Sequence, residues 1–397
     1  MHHTITTAPA SRRGTPVSGV LPALIIIGLV GWAWQLADNS RTSLALSILL
    51  GAGFGVLLQR ARFCFFCVTR DFIDDRDARG LLGIIAALAV GTLGYHLIFG
   101  LFVPDPLGGR LPPDAHIGPV SWVLALAAFT FGVGMTLSGS CISAHLYRLG
   151  EGATGSIAAL AGVLIGFGLG FATWNTLYLA GIDQAPVIWL PGLAGYGGSV
   201  LIQLAGLGLL AALLMRWHQP ATTAGAATPT GFRDRLLGQR WPAHVGGLLI
   251  GALAVMAYLR VAPLGVTAEI GSVARTTGAS LGLLPERLQG LDSFSGCATA
   301  VKEALLSENG AFILALVLAS LASALASGGF RLQPITITST LSKLSGGVLM
   351  GWGAMTALGC TVGTLLSGIM AAAVSGWVFA FFCLLGLWLS LMMKTRF

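Results

Sequence analysis

The chain has 397 residues, of which 55% are hydrophobic and only 9% are charged, with a formal net charge of +7. Soluble domains carry about 25% charged residues, so a surface this poor in charge cannot face water on all sides. The composition excludes an ordinary water-soluble globular protein and indicates a helical membrane protein. The excess of Lys and Arg does not indicate a nucleic-acid partner, because these residues fall in short connections between apolar runs.

Apolar runs along the chain predict an all-α, polytopic bundle of about ten membrane-spanning segments. A spanning helix needs about 20 apolar residues, and many runs approach or reach that length. The clearest runs are 21–36, 81–102, 122–137, 155–180, 200–215, 245–259, 311–326 and 376–393. We interpret the first run as a retained helix, since no clean small-x-small cleavage site precedes the next apolar stretch.

A polar, basic stretch at 216–242 divides the chain into two membrane halves. We expect a cytoplasmic tail at 1–19, a first half at 20–215 with the first helix and one repeat, the cytoplasmic linker at 216–242, and a second half at 243–397. Placing the basic connections on the cytoplasmic side satisfies the positive-inside rule. This predicts a multi-pass protein of the bacterial inner membrane with both termini in the cytoplasm.

The two halves share a short repeated pattern of glycines before a cysteine. Gly132 and Gly134 lie nine and seven residues before Cys141, and Gly351 and Gly353 lie at the same distances before Cys360. In the predicted topology these two segments cross the membrane in opposite directions. Such a relation is typical of inverted pseudo-repeats, which build a site near the bilayer midplane.

Glycines beside cysteines predict breaks in the spanning helices. Gly139 and Gly359 each lie next to a cysteine at an expected break, and Gly296 precedes Cys297 in a similar frame. Broken helices are tolerated at membrane depth only inside protein or along a cavity. Their free N–H groups and positive dipole ends suit an anion, so we interpret these glycines as shaping an anion path.

The six cysteines indicate neither a disulfide framework nor a zinc site, because their spacing is irregular and most lie in apolar runs. We expect no metal and no cofactor. Cys64 and Cys67 formally make a C-x-x-C motif, but no thioredoxin-like βαβ context surrounds them. The role of Cys67 stays open between packing and redox chemistry, and Cys383 is interpreted as packing.

Three segments resemble the signatures of the YeeE/YedE family of sulfur-compound transporters. The first is Gln-Arg-Ala-Arg-Phe-Cys-Phe at 59–65, followed by Arg70 and Asp71. The second is Gly-Ser-Cys at 139–141 with Tyr-Arg-Leu-Gly-Glu-Gly at 147–152. The third is the stretch 351–363 with Leu-Ser-Gly at 366–368. These segments occur in order and cover both halves.

The resemblance implies uptake of thiosulfate through an hourglass-like bundle, with short cavity-facing helices from two pseudo-symmetric halves. It assigns the family's three functional cysteines to Cys64, Cys141 and Cys360. It also suggests a soluble sulfurtransferase of the TusA type as a cytoplasmic partner. The chain departs from the usual Gly-Gly-Cys of the family with Gly-Ser-Cys and Leu-Gly-Cys, and Cys297 is an additional candidate on the path.

Thiosulfate is a dianion with one soft terminal sulfur, and its passage requires attraction without a deep trap. Neutral thiols and helix N-termini provide weak donors, and the apolar runs contain almost no buried cations. We expect Arg62 either to attract anions at the exit or to anchor its helix. We expect Arg148 to pair with Glu151, and His145 is the histidine nearest the predicted path.

The leading interpretation is a transporter, not an enzyme, for a small sulfur-containing anion. One alternative is a transporter of a related sulfur or selenium species. Another is a membrane sulfurtransferase or thiol-redox protein that forms cysteine persulfides, and a third is a scaffold whose cysteines only pack. No segment resembles a nucleotide-binding loop, which disfavours an ATP-driven pump within this chain.

Overall fold

The computed structural model of the protein describes residues 17–219, 239–296, 306–334 and 336–394. Cys297, most of the 216–242 linker and residues 1–16 of the predicted tail lie outside the described residues. Within these ranges the chain forms the helices α1 (Val17–Asp38), α2 (Thr42–Ala61), α3 (Phe65–Asp75), α4 (Arg79–Phe102), α5 (Trp122–Ser138), α6 (Ile142–Gly150), α7 (Gly155–Leu177), α8 (Pro191–Arg216), α9 (Ala243–Arg260), α10 (Ala268–Ser280), α11 (Glu308–Ala326), α12 (Ile337–Thr356), α13 (Thr361–Met370) and α14 (Val374–Lys394).

The bundle has the number of spans that the apolar runs predict. Over the ranges given above, nine helices or joined helix pairs are long and apolar enough to cross a bilayer. The pair α12 and α13, bent by 44°, makes a tenth span if it is counted as one. The structure confirms an all-α, polytopic bundle with broken segments.

In the part of the chain that the structure describes, four long helices are each followed by a break and a short helix. In three of these breaks a cysteine is the N-cap, the residue directly before the short helix: Cys64 before α3, Cys141 before α6 and Cys360 before α13. In the fourth, after α9, the N-cap of α10 is Thr267. The expected breaks beside Cys141 and Cys360 are present, and each cysteine lies at the start of a helix.

The two predicted break glycines act through different geometry. Gly139 ends α5 in the left-handed region at φ +78°, which a residue without Cβ adopts at little cost. At the other break the left-handed residue is Leu358, at φ +62°. Gly359 is required there for close approach, because a Cβ would lie 2.6 Å from the Thr364 hydroxyl oxygen.

Helices α5 and α12 pack against each other in opposite directions through small residues. Gly134 of α5 contacts Gly346 in the middle of α12, and Gly353 near the end of α12 contacts Ala127 in the first half of α5. Glycines allow the two backbones to approach closely. Because Ser138 also lies against Gly346, the ends of α5 and α12 are about 15 Å apart along the axis, at 1.5 Å per residue.

The other helix contacts repeat between the halves. Gly132 of α5 packs on α14, as Gly351 of α12 packs on α7. In the same way α2 packs on α11 through Gly51 and Gly55, and α9 packs on α4 through Gly247 and Gly251. These contacts map onto one another when α2, α4, α5 and α7 are exchanged with α9, α11, α12 and α14. Helix α1 is not one of these eight helices, and it packs on α2 and α11.

Candidate substrate path

Three buried thiols meet where α3 and α6 begin. The Sγ atom of Cys64 lies 2.7 Å from Sγ of Cys67 and 3.9 Å from Sγ of Cys141. The hydroxyl of Ser140 is 3.6 Å from the same Cys64 sulfur. We call Cys64, Cys67 and Cys141 the inner thiol cluster. It unites two of the three cysteines that the sequence singles out.

Local helix geometry places Cys67 in this cluster. Cys64 caps α3 by accepting the backbone N–H of Cys67 on its sulfur at 3.3 Å, in the position where a Ser or Asp oxygen usually accepts. Residues three apart at a helix start share a face, so the two thiols meet. The sequence left the role of Cys67 open, and the C-x-x-C spacing was the signal for this contact.

Arg148 brings a half-buried cation to the inner thiol cluster. Its Nη2 donates to Sγ of Cys67 at 3.2 Å and its Nη1 donates to the carbonyl of Gly139 at 3.4 Å. The expected pairing with Glu151 is wrong, because Glu151 instead accepts from the Gln59 amide at 3.1 Å. The expectation of a path almost free of buried cations therefore fails at this point.

A basic cavity of about 260 Å³ lies beside the inner thiol cluster. The ionisable Arg, Lys and Glu side chains that line it are Arg62, Arg148, Arg240, Lys343 and Glu151. Burial, and secondarily the guanidinium of Arg62, lower the pKa of Arg240. Among the described lining residues, four basic groups against one carboxylate give the basic cavity a positive potential that favours anions. Arg62, predicted near the exit, lies in its wall.

His145 also lines the basic cavity. Its Nδ1 is 3.2 Å from the hydroxyl of Ser156. The sequence named it as the histidine nearest the path, and the structure places it within one turn of Cys141 on α6. Its role beyond this contact stays a prediction.

Cys360 lies apart from the inner thiol cluster. It is fully buried at the start of α13, where its sulfur accepts the N–H of Val362 at 3.4 Å. The side chain of Thr267, the N-cap of α10, lies beside this thiol. The antiparallel packing of α5 and α12 explains the separation, since each cysteine follows the end of its own helix. The three cysteines thus form two sites at different depths.

Two cavities lie near the turn before Cys360, on the side opposite the basic cavity. The outer cavity, of about 380 Å³, is lined by Asp114, His116, Asp292 and Gly296 among others. Beyond it a chamber of about 20 Å³ is bordered by His116, Thr356 and Thr364. A space of this size holds about one water molecule.

Gly296 belongs to the wall of the outer cavity, and a Cβ on it would lie 2.5 Å from the carbonyl oxygen of Leu358. The loop that carries it therefore packs directly on the turn before Cys360. His116 and Thr267 also lie here, and sequence reasoning missed both. Neither stands in a recognisable motif, and only folding brings them near the cysteine.

Comparison of the sequence with known proteins identifies a family of related chains. The chain matches the family described as sulphur transport over residues 60–389. It is 26% identical over 356 residues to the thiosulfate transporter TsuA of Escherichia coli K12, covering 86% of this chain and 92% of the relative. It is 28% identical over 361 residues to TsuA of Spirochaeta thermophila, covering 86% and 96%.

A third relative matches over a shorter stretch. The probable transporter YedE of Salmonella typhimurium is 33% identical over 132 residues, which is 33% of this chain and 30% of the relative. The family match spans the breaks at Cys64, Cys141 and Cys360, and the helices around them form a multi-pass membrane bundle. The chain belongs to the sulphur transport family.

Proposed function

We propose that this protein takes up a small sulfur-containing anion across the bacterial inner membrane, with thiosulfate as the leading candidate. The anion would pass from the outer cavity, past Cys360, to the inner thiol cluster and the basic cavity. The observation that best supports this proposal is the position of the buried thiols. They lie at the starts of α3, α6 and α13, between two cavities. The relatives named as thiosulfate transporters support the choice of substrate. The protein acts as a transporter rather than an enzyme.

The chemistry of the thiols supports passage of such an anion. A thiol donates weakly and is polarizable, so it interacts with the soft terminal sulfur without holding it firmly. At the inner thiol cluster, the free N–H groups at the start of α6 add diffuse positive charge beside Cys141. Conduction requires binding that is favourable for entry and weak enough for release. Arg148 adds one fixed charge near the exit, where the anion leaves toward the basic cavity.

The exchange of helix contacts supports two inverted pseudo-repeats, in the halves 20–215 and 243–397. Each long broken helix of one half has a counterpart in the other that packs on equivalent partners, and α5 and α12 run in opposite directions. Inverted repeats place transport sites at the interface between the halves. The small chamber beside the outer cavity, with the basic cavity on the opposite side, agrees with a path that narrows in its middle, as an hourglass does.

The charge distribution supports a cytoplasmic location of the basic cavity. Arg62, Arg148, Arg240 and Lys343 all line it, and the positive-inside rule places such residues in the cytoplasm. Both termini would then be cytoplasmic. A soluble sulfurtransferase of the TusA type is a suitable partner at this face, because the anion would leave the membrane there.

Uptake of radiolabelled thiosulfate tests the proposed function. In cells that lack their own thiosulfate uptake, expression of the chain should give saturable accumulation that excess unlabelled thiosulfate abolishes. Sulfate should compete poorly, since it lacks the soft terminal sulfur that thiols favour. Accumulation no greater than in cells with the empty vector would contradict the proposal, and strong competition by selenium anions would broaden the substrate class.

The hydrogen bonds of the inner thiol cluster, with the guanidinium of Arg148 beside it, favour one second candidate, covalent sulfur transfer. A thiolate on Cys64, which accepts hydrogen bonds from the thiols of Cys67 and Cys141, would attack the terminal sulfur of thiosulfate. A cysteine–sulfur bond forms, the sulfur–sulfur bond of thiosulfate breaks, and sulfite leaves with the electron pair. The thiol proton passes to solvent in the basic cavity.

Mass spectrometry of the purified chain after incubation with thiosulfate separates the two candidates. Passage without covalent chemistry predicts no added sulfur atom on any cysteine of the inner thiol cluster. An added sulfur on Cys67 or Cys64 that disappears in Arg148→Gln would favour the covalent candidate instead. Sulfite release should accompany such an adduct in equal amount, because one leaves for each sulfur retained.

A further inference from the structure

Unpaired polar atoms collect around Cys360. In native structures most buried polar groups have a hydrogen-bond partner, and an unsatisfied one costs free energy. Over the described ranges, three buried side-chain atoms near this cysteine have no partner: Nδ1 of His116 and the hydroxyl oxygens of Thr356 and Thr361. The two threonine side chains are at least nine-tenths buried. Their shared need for a partner points to a ligand.

These atoms follow the route from the outer cavity to the thiol. His116 borders both the outer cavity and the narrow chamber, and Thr356 borders the chamber. Thr267 lies beside the Cys360 thiol, and Thr361 follows it directly in the chain. Hydroxyl donors and one soft thiol match an anion that has both oxygen atoms and a terminal sulfur.

The outer cavity needs a cation before an anion can enter. It contains two carboxylates, Asp114 and Asp292, and among its described lining residues His116 is the side chain that can become positive. Asp292 lies 3.8 Å from Arg275, which offsets part of its charge. Asp114 is therefore the carboxylate near His116 that repels an incoming anion most directly.

Neutral His116 suits an anion less well than its protonated form. The ring lies beside the backbone of Gly363 on α13. A neutral imidazole has one N–H for its two ring nitrogens, so it offers an anion one donor and one lone pair, and Nδ1 is buried without a partner. A second proton makes both ring nitrogens donors and gives the ring the charge that the cavity lacks.

We propose that His116, with the hydroxyls of Thr267 and Thr356 beside Cys360, forms an outer binding site for a small sulfur oxyanion, and that the anion binds there together with a proton on His116. The proposal rests on the proposed function and deepens it, because it names a specificity site and a coupled ion. The site is the counterpart of the inner thiol cluster under the exchange of halves. There the N-caps Cys64 and Cys141 meet, and here the N-caps Thr267 and Cys360 meet.

The sign of the pH dependence follows from the surroundings of the ring. Burial lowers the pKa of His116 below its usual 6.5, while the Gly363 carbonyl and Asp114 act in the opposite direction. A bound anion favours the imidazolium and raises its pKa. Affinity should therefore increase as pH falls through the window between these two pKa values, and it should be constant above and below that window.

Calorimetric titration of the full chain in lipid nanodiscs with thiosulfate tests the site, from about pH 5.5 to about pH 8. Two buffers with different protonation enthalpies reveal how many protons accompany binding. We expect net proton uptake and an affinity that rises by up to about tenfold per pH unit toward acid. His116→Gln should abolish both. His244→Gln, which changes an exposed histidine at the start of α9, should retain both.

Thr356→Val provides a variant that leaves the proton carrier intact. Loss of one hydroxyl donor to the anion should weaken binding about tenfold at every pH and preserve the pH slope. Binding without proton uptake, or a slope that survives His116→Gln, would overturn the outer site but not the transport proposal. Absence of thiosulfate binding at every pH would overturn both. The proton count in the unmodified chain does not depend on the folding of any variant.

Discussion

Cys141→Ala is expected to reduce the initial rate of thiosulfate uptake at least about tenfold, and Cys64→Ala should do the same. Each change removes a thiol donor from the inner thiol cluster, and because a thiol donates weakly, its bond to a dianion lies at the lower end of the roughly 1.5–3 kcal/mol of a hydrogen bond to a charged group. That range corresponds to about tenfold or more in a rate or affinity. The Cys64 and Cys141 sulfurs are 3.9 Å apart, so the double variant should be little worse than either single one.

Cys360→Ala should also reduce uptake, although it acts at a separate site. Alanine there removes the only thiol described beside Thr267, so the anion loses the soft partner at that site. Persulfide analysis of this variant should match that of the unmodified chain, because the inner thiol cluster is intact. The two cysteine sites can in this way be distinguished.

Cys383→Ala is the matched control for this series. Cys383 is equally buried, but it lies in the middle of α14, where its backbone packs against Gly132. Uptake should persist in this variant when the amounts of protein in the membrane are equalised. Full uptake in Cys64→Ala, Cys141→Ala and Cys360→Ala alike would remove the role of thiols from the proposed path.

The sequence predicts the spans and the breaks because both depend on local features. An apolar run of sufficient length must form a helix in lipid, where every backbone group needs an internal partner. Gly139 marks its break directly, since it adopts the left-handed conformation itself. At the second break the sequence points to Gly359, but the residue with the positive φ is Leu358. Glycine is needed at 359 for a different reason, because the side chain of Thr364 approaches its backbone closely.

The site is less accessible to sequence reasoning because distant segments build it. Arg148 is seven residues from Cys141 in the chain, and only the fold shows that it turns toward Cys67 rather than Glu151. His116 and Thr267 lie in connections without any motif. The separation of Cys141 from Cys360, in contrast, agrees with the proposed inverted repeat. Equivalent positions of such repeats lie at equal depths on opposite sides of the midplane, so residues away from the midplane form two separate sites.

Gly166→Val is expected to prevent stable folding, whereas Gly168→Val in the same helix should be tolerated. A Cβ at Gly166 would lie 2.7 Å from the Trp352 nitrogen and 2.9 Å from the Gly351 Cα, both in the backbone of α12. Helix backbones cannot yield as a flexible side chain does, so we expect a destabilisation of about 3 kcal/mol or more. At Gly168 a Cβ would meet nothing within 4 Å. The intrinsic cost of valine in a helix is similar at both positions.

Thermal unfolding and the yield of monodisperse protein in detergent measure this difference, with both variants expressed in parallel. The exchange of halves extends the prediction to Gly386, where a Cβ would lie 3.0 Å from the carbonyl carbon of Phe129 and α14 packs on α5 as α7 packs on α12. Gly386→Val should therefore be as harmful as Gly166→Val. Equal stability of the Gly166→Val and Gly168→Val proteins would mean that α7 and α12 do not approach this closely. A mild effect at Gly386 alone would break the equivalence of the two halves on which the inverted path depends.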